Sequence, residues 1–340
     1  MVALKSIAPN FVKQSPLRDY YYNCLFLINL FKNYSYDFRR FLTYSATQHP
    51  YQTKQRHQGR ITAHYHQIEK GLSLHNTRVG FGKEVVRHLV MMLQTYQQNY
   101  GADELTQVAL DTLFAYYKFN LEAGQDNPQL YQQLTALKQI ERQEPSKIGG
   151  TIAVTKEQIQ QAIAGDFNKF VQARHSVRQF DSTKTVDPQV IEQAVAMAIK
   201  TPSVCNRQTW KVYSYSDHDA KKRILAHQNG NRGFGDSASQ ILIVTSDLNY
   251  FMTPAERHQC FIDGGMFAMS LVYGLHSLGL GTCCLNWSAD YKRDLALKSE
   301  AAISPAESVI MMIAVGHLPE SFIVASSPRK DVADILQHCQ

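Results

Sequence analysis

Residues 1–150 carry apolar side chains at intervals of three and four, the spacing that places them on one face of a helix. The clearest case is 80–100, in which five apolar residues share a face: Val85, Val86, Leu89, Val90 and Leu93. The same spacing predicts helices over 104–121 and 130–140. The first 150 residues are therefore expected to be mainly helical.

Residues 151–340 alternate helical periods with short, continuous apolar runs. The runs 241–245 and 310–315 have the length of strands and are typical of buried, central ones. Two further strands are predicted over 211–215 and 282–285. Helices are predicted after a capping box at 155–158, after Asp187-Pro188, and over 263–278. Alternating strands and helices predict layers of helix packed on a sheet.

The segment 144–150 combines a proline with two glycines and predicts a linker. We therefore expect a mainly helical region at 1–150 and a second domain at 151–340. Charge follows the same division, with 17 basic and 11 acidic residues in the first part and 18 of each in the second. The formal net charge of +6 thus lies in the N-terminal part.

The first 60 residues are rich in aromatic side chains, including the consecutive Tyr20, Tyr21 and Tyr22. A basic, aromatic segment favours an anionic partner such as nucleic acid or a lipid surface. The simpler interpretation, which we prefer, is a helical layer whose rings pack inward and whose Lys and Arg side chains face water. No nucleic-acid recognition motif is present, so no nucleic-acid partner is expected.

The composition argues against several classes of protein. With 44% hydrophobic and 19% charged residues, the chain is not typical of disorder and is long enough for a sizeable core. Its best apolar run, 24–31, is shorter than the ~20 residues of a membrane span. The six cysteines form no Cys-x-x-Cys pair, and the N-terminus lacks the order of a secretory signal. A reduced, cytoplasmic protein is expected.

A metal site is also not expected. His66 and Glu69 lie three residues apart, on one helical face, and could share a metal. The sequence offers no third ligand beside them. A hydrogen bond between the two side chains is the preferred interpretation.

Four segments of the second part carry candidate chemistry. Arg-His-Ser-Val-Arg at 174–178 offers guanidinium forks and a hydroxyl, which suit a phosphate. The loop 201–210 is rich in amides, which suit the polar edge of a heteroaromatic ring. The segment 279–287 begins with glycines, which admit a flat ligand. The late basic turn 327–330 either completes a phosphate site or is plain surface.

Together and in this order, these segments resemble the nitroreductase family of FMN-dependent oxidoreductases over about 165–335. The shared pattern is Arg-x-Ser-x-Arg-x-Phe at 174–180, Pro-Ser-x-x-Asn-x-Gln-x-Trp at 202–210, and Asp-x-Gly at 263–265 before a helix that ends in Gly-Leu-Gly at 279–281. The resemblance implies an α+β fold with a mixed sheet flanked by helices. It also implies an intertwined homodimer with two FMN sites at the interface.

By position, the resemblance implies three groups of FMN-binding residues. The phosphate and ribityl chain would contact Arg174, His175, Ser176, Arg178 and Arg329. The partner subunit would line the isoalloxazine with Pro202, Ser203 and Asn206, beside which Gln208 would lie. The ring edge and face would contact Asn231, Cys284, Leu285, Asn286 and Trp287. No protein group is assigned as the catalytic acid or base, and Asn286 is a candidate for tuning the flavin.

The resemblance implies a ping-pong reductase in which NADH or NADPH reduces the flavin and a small organic acceptor reoxidises it. Nitroaromatic, quinone and enone-like acceptors remain open. The sequence has Asn286-Trp287 where well-known nitroreductases often have Glu-Gly, and Trp287 could narrow the substrate pocket or stack in it. The alternative is a non-catalytic or weakly redox-active flavin-binding component of a polysaccharide-assembly or membrane-surface complex, bound through residues 1–60. Residues 60–82 resemble N-terminal extensions of nitroreductase-like proteins encoded with bacterial polysaccharide-assembly functions.

Overall fold

A computed structural model describes residues 18–46, 53–72, 77–138, 148–151, 165–322 and 331–339. The helices of the N-terminal part are α1 (Arg18–Tyr44), α2 (Lys54–Leu72), α3 (Lys83–Tyr100), α4 (Glu104–Glu122) and α5 (Pro128–Leu137). Those that follow are α6 (Phe167–Ala173), α7 (Pro188–Ala198), α8 (His218–Leu225), α9 (Gln259–Ser277) and α10 (Tyr291–Glu300). The strands are β1 (Trp210–Tyr215), β2 (Gln240–Asp247), β3 (Leu280–Asn286) and β4 (Glu307–His317).

Helices α2 to α5 bury their apolar faces in one shared core, so the helical N-terminal part is confirmed. Asp103 begins α4 with a reciprocal capping box to Thr106, and Asn127 caps α5. The predicted helix over 80–100 begins only at Lys83. Gly80 and Gly82 have φ of 69° and 60°, a left-handed backbone that forms a turn before the helix.

The four strands pair antiparallel in the order β1-β2-β4-β3. The apolar runs predicted at 241–245 and 310–315 are the two central strands, and all eight residues of β2 are buried. The expected α+β fold, with a sheet flanked by helices, is confirmed. Among the described residues, the parallel pairing in this sheet is limited to one isolated bridge between Ser176 and Thr282.

Each face of the sheet packs against its own layer. One face, which includes Leu242 and Ile313, packs against α7 and α9. Trp210 belongs to this layer and stacks on Phe267, with ring centroids 4.7 Å apart. The other face, which includes Ile243, packs against residues of α8 and α10. The sheet is therefore covered on both sides, and its last strand, β3, forms an edge.

The C-terminal half of α1 is joined by hydrogen bonds to this second part. The Tyr36 hydroxyl donates to Asp294 Oδ2 at 2.7 Å, and the Tyr291 N–H donates to Asn33 Oδ1 at 2.6 Å. The buried Arg40 guanidinium donates to the backbone oxygens of Pro305, at 3.0 Å, and Glu307, at 2.6 Å. These bonds connect residues more than 250 positions apart.

The preferred interpretation of the aromatic N-terminus holds for only some rings of α1: Phe41 and Tyr44 pack inward beside Leu248 and Phe251, whereas other rings face water. Tyr20, Phe31, Tyr34 and Phe38 of this helix are each about two-thirds to three-quarters exposed, whereas Arg40 is buried. The physical reason is that, within the part of the chain that the structure describes, α1 is covered on one side only. Asn33, Tyr36 and Arg40 face that layer because their hydrogen-bond partners lie there, whereas the rings of the four exposed residues face outward.

Several expectations fall outside the described residues. These are the capping box at 155–158, the Ser327–Lys330 turn and most of the predicted linker. The division of the chain at residue 150 stays a prediction. In the described ranges, no helix has both the length and the apolar character that a bilayer crossing requires.

Candidate functional site

The segment 174–178 lies along the edge of β3, so the first and third candidate segments meet. The Val177 N–H donates to the Thr282 carbonyl at 2.8 Å, beside the bridge formed by Ser176. Gly281 permits this approach, because a Cβ there would lie 3.1 Å from Val177 Cγ1 and 2.8 Å from Leu318 Cδ2. A larger residue at 281 would require the side chains of Val177 and Leu318 to shift.

Arg174 and Arg178 place two positive charges at this edge of the sheet. No ion pair formed among the described residues includes Arg174 or Arg178. Cys284 has an exposed side chain, yet the protein atoms around its thiol raise the pKa, and the charge of Arg174 opposes that rise. Burial likewise raises the pKa of Cys283, against the charge of Arg178. Both guanidiniums are therefore close enough to β3 to act on its side chains.

Strand alternation separates the side chains at the end of β3. Cys284 and Asn286 are exposed, whereas Leu285 is only 3% exposed and packs in the core on the opposite face. Leu285 can therefore offer a ligand only its backbone. The Asn286 side chain donates to Ser288 Oγ at 2.9 Å. Cys284 and Asn286 are the β3 side chains that present a surface for a ligand.

A turn at 228–233 reaches the same strand. Gln228 Nε2 donates to the Asn286 carbonyl at 2.9 Å and so fixes the end of β3. Asn231 Nδ2 donates to the carbonyls of Leu225 (2.8 Å) and Gln228 (2.6 Å). The Asn231 amide nitrogen thus holds the turn. Sequence reasoning missed Gln228, because a glutamine in a polar turn gives no local sign of such a contact.

A residue of helix α10 forms a hydrogen bond with Trp287. Its indole N–H donates to Asp294 Oδ1 at 2.9 Å, and the ring packs beside the core of the sheet. The same carboxylate accepts the Tyr36 hydroxyl of α1 and the Lys298 ammonium, the latter at 2.6 Å. Burial alone would raise the pKa of Asp294, but these donors hold it below its ordinary value. A narrowing of a substrate pocket by Trp287 stays a prediction.

The loop 202–208 is folded by strained backbone and local bonds. Cys205, Asn206 and Gln208 have φ of 49°, 53° and 48°, the left-handed region that side chains disfavour. The Gln208 N–H donates to Ser203 Oγ at 2.9 Å, and its side-chain amide donates to the Asn206 carbonyl at 3.2 Å. Pro202 and Gln208 are exposed. Several residues held in disfavoured conformations require strong support from their surroundings.

That support comes from buried charges. The fully buried Arg207 guanidinium donates to the Tyr250 carbonyl at 2.8 Å and pairs with Glu256 at 2.5 Å. Asp263, which is fully buried, accepts the Val204 N–H at 3.2 Å. The helix predicted to begin at 263 begins one turn earlier, because the Asp263 carboxylate anchors this loop instead of capping α9.

One chain does not bring all the predicted residues together. The segments 174–178, 228–233 and 284–287 meet at β3, where His175 is exposed. The loop 202–208 precedes β1, which is the opposite edge of the sheet. Three strand spacings, about 14 Å, separate the two edges. Arg329 lies outside the described residues.

The His66–Glu69 pair forms the hydrogen bond that the sequence favoured. His66 Nδ1 lies 3.2 Å from Glu69 Oε2, and Glu69 Oε1 also accepts the Gly150 N–H at 3.1 Å. Within the described ranges, no three His, Cys, Asp or Glu side chains form a group that could hold a metal. The Glu69 carboxylate instead ties α2 to the segment that follows the helical part.

Tyr36→Phe should change the surroundings of Trp287. Removing the hydroxyl leaves Asp294 without one of its donors, and a hydrogen bond to a charged group contributes about 1.5–3 kcal/mol. We expect a loss of this size in the free energy of unfolding, measured by urea denaturation, together with a shift in tryptophan emission. The chain has two tryptophans, and the other, Trp210, is stacked on Phe267.

The matched control is Tyr34→Phe, two residues away on the same helix. Tyr34 is 68% exposed, and we expect neither its stability nor its emission to change. Equal behaviour of the two variants would show that Tyr36 does not support Trp287.

Comparison with known proteins identifies similarity in the second part of the chain. The family model described as "Nitroreductase family" matches residues 171–231 and 225–317. The oxygen-insensitive NADPH nitroreductase of Helicobacter pylori is 36% identical over 73 residues, 22% of this chain and 35% of that protein. The CLA biosynthesis enone reductase of Lactiplantibacillus plantarum is 30% identical over 92 residues, 27% of this chain and 42% of that protein. The matches thus span about two-fifths or less of the length of these relatives.

Solved structures are similar over half of the chain. An FMN-dependent nitroreductase from Clostridium difficile is 17% identical, with a TM-score of 0.43, and covers 50% of this chain and 98% of its own. A nitroreductase family protein from Streptococcus pneumoniae is 22% identical, with a TM-score of 0.44, and covers 51% of this chain and all of its own.

Proposed function

We propose that residues 165–335 form an FMN-dependent oxidoreductase domain of the nitroreductase type. The observation that carries this proposal is the edge of β3, where the cationic segment 174–178 meets the exposed Cys284 and Asn286. The family match at 171–317 includes every residue of that edge. Arg174, Ser176 and Arg178 are the groups that would bind a phosphate there.

The residues present fit FMN. Two arginines with no carboxylate partner among the described residues suit the dianionic phosphate, and the Ser176 hydroxyl adds a neutral hydrogen bond. Exposed side chains at 284 and 286 leave a surface for a flat ring. When bound, FMN supplies hydride transfer between a nicotinamide donor and an acceptor. The protein binds and orients it, and Gln228 keeps the Asn286 backbone in register.

We infer a homodimer in which the loop 202–208 completes the site of the partner subunit. Within one chain this loop lies across the sheet from β3. The outer side of α9 also exposes apolar residues, with Ile262 at 52%, Met266 at 39% and Met269 at 36%. Spaced four and three apart, they share a helix face, and burial by a second copy would remove them from water. Both observations support the dimer.

The electron donor is proposed to be NADPH or NADH, and the acceptor a small nitroaromatic, quinone or enone. The names of the two curated relatives, an NADPH nitroreductase and an enone reductase, support NADPH as donor and the nitroaromatic and enone acceptors within this range. Trp287, fixed by Asp294, would limit the size of the acceptor.

The decisive measurement is an absorbance spectrum of the purified protein with FMN, taken before and after anaerobic addition of NADPH or NADH. We expect flavin bands that bleach with at least one nucleotide. Bound flavin that stays oxidised would favour the alternative, a flavin-binding assembly component without reductase activity. No flavin uptake would overturn the proposal.

A further inference from the structure

Helix α1 carries an apolar surface that nothing in the described structure covers. Its outward stripe consists of Tyr20 (72% exposed), Leu27 (61%), Phe31 (74%), Tyr34 (68%), Phe38 (67%) and Leu42 (39%). The opposite side of the C-terminal half of the helix is held by Asn33, Tyr36 and Arg40 to the second part of the chain, whereas the N-terminal half exposes further apolar side chains at Phe26, Ile28 and Leu30. These bonds set the orientation of the half of α1 that carries Phe31, Tyr34 and Phe38.

The exposed area matches that of a protein interface. Aromatic side chains bury about 150–250 Å² each, so four rings and two leucines at these exposures leave roughly 700 Å² of apolar surface. Monomeric proteins rarely expose contiguous apolar patches beyond about 300–600 Å². A stable interface buries about 800 Å² on each partner. The stripe has the area of one half of such an interface.

The spacing identifies the shape of the occupant. Leu27, Phe31, Tyr34 and Phe38 follow one another at intervals of four, three and four, the pattern by which helices pack along a shared seam. Phe31, Tyr34 and Phe38 form one wall of a groove of about 870 Å³ between α1 and α10, with Tyr291 and the 46% exposed Leu295 on its far wall. A groove of this kind accepts a helix that presents residues at i, i+3 and i+7. Phe31, Tyr34 and Phe38 have that spacing.

We propose that the stripe of α1 packs against α1 of a second copy of this chain. Each copy carries both the projecting rings and the groove, so a twofold axis satisfies both surfaces at once. No charged residue lies between Asp19 and Lys32, and the charges that border the later stripe, Lys32, Asp37 and Arg39, have both signs. Charges of both signs beside the stripe match the surface of a protein partner better than they match a uniformly anionic surface such as a lipid membrane. The proposal does not depend on flavin chemistry.

The test is the mass of the full-length chain by sedimentation, for the wild type and the double variant Phe31→Glu with Phe38→Glu. Both side chains are mainly exposed, so the fold should persist, as circular dichroism and the urea midpoint would show. We expect the variant to have half the mass of the wild type at the same concentration. The matched control, Met91→Glu, changes a 52% exposed residue of α3 and should keep the wild-type mass.

The mass measurement distinguishes the α1 interface from the separate dimer interface inferred for α9. The α1 interface is proposed to lie on a twofold axis of its own, perpendicular to that of α9. If both interfaces form, the variant therefore falls from a tetramer to a dimer, and if only α1 pairs, from a dimer to a monomer. Equal mass of wild type and variant overturns the proposal. Co-sedimentation of the wild type with phosphatidylglycerol vesicles, lost in the variant while the masses stay equal, would replace the second copy with a lipid surface.

Discussion

Glu256→Gln is expected to lower the free energy of unfolding by about 3–5 kcal/mol, the typical cost of leaving a buried charge uncompensated. Arg207 is fully buried, and Glu256 is its only carboxylate partner among the described residues. The glutamine keeps the size of the side chain and removes only its charge. Urea denaturation near neutral pH measures the effect. The loop 202–208 should loosen at the same time, because the Arg207 guanidinium also holds Tyr250 and Val204.

The control is Glu300→Gln, which removes the charge from an exposed pair with Arg223. Surface ion pairs contribute about 0–1 kcal/mol, so this variant should stay close to the wild type. Similar losses in both variants would show that burial of the Arg207 pair is not what stabilises the loop.

The pH dependence gives an independent check on Glu256. Burial alone would raise the pKa of Glu256, but the Arg207 guanidinium and the Met252 N–H hold it below its ordinary value. A depressed pKa contributes stability above the unfolded value of about 4.3, and that contribution is lost as the pH falls through the folded value. The wild type and Glu256→Gln should therefore differ most near neutrality and converge in acid. A constant difference across this range would contradict the assignment.

Arg174→Ala is expected to weaken FMN binding about 10- to 150-fold, which corresponds to the loss of a charge-assisted hydrogen bond of about 1.5–3 kcal/mol. Arg174 begins the segment bonded to β3, and its charge acts on the Cys284 thiol. The dissociation constant can be measured by quenching of flavin fluorescence. Arg174→Lys should give an intermediate value, because it keeps the charge and loses the planar fork.

Arg223→Ala serves as the control for FMN binding, because it removes an exposed arginine whose partner is Glu300. Its affinity for FMN should equal that of the wild type. An unchanged affinity in Arg174→Ala would remove Arg174 from the site. An equal loss in both variants would indicate a general effect of net charge.

Local pattern was sufficient for the regular elements. Continuous apolar runs predicted β2 and β4, because both strands are covered by helices on each face and need no polar alternation. Periods of three and four predicted α3 and α4 for the same kind of reason. The family resemblance implied that residues of 174–178 and 284–287 contact the same FMN, and the Ser176–Thr282 bridge shows that the first segment lies beside β3.

Long-range contacts could not be predicted in this way. Arg207 stands in a polar loop, and its burial depends on Glu256, 49 residues later. Gln228 and Asp263 are likewise defined by the Asn286 carbonyl and the Val204 N–H. The outward rings of α1 were missed because periodicity identifies an apolar face but not the object that it faces. Each of these features depends on how distant segments fold together.

The bonds that hold α1 also set an order of events during synthesis. Arg40 leaves the ribosome early in synthesis. Its partner Glu307 lies 267 residues later in the chain and is made only much later. At about 5–20 residues per second, the helix waits roughly 15–50 s for that partner. Throughout this interval, both the apolar stripe and the side meant for α10 face the surrounding solution. Substitutions that make the stripe polar should therefore reduce aggregation during synthesis.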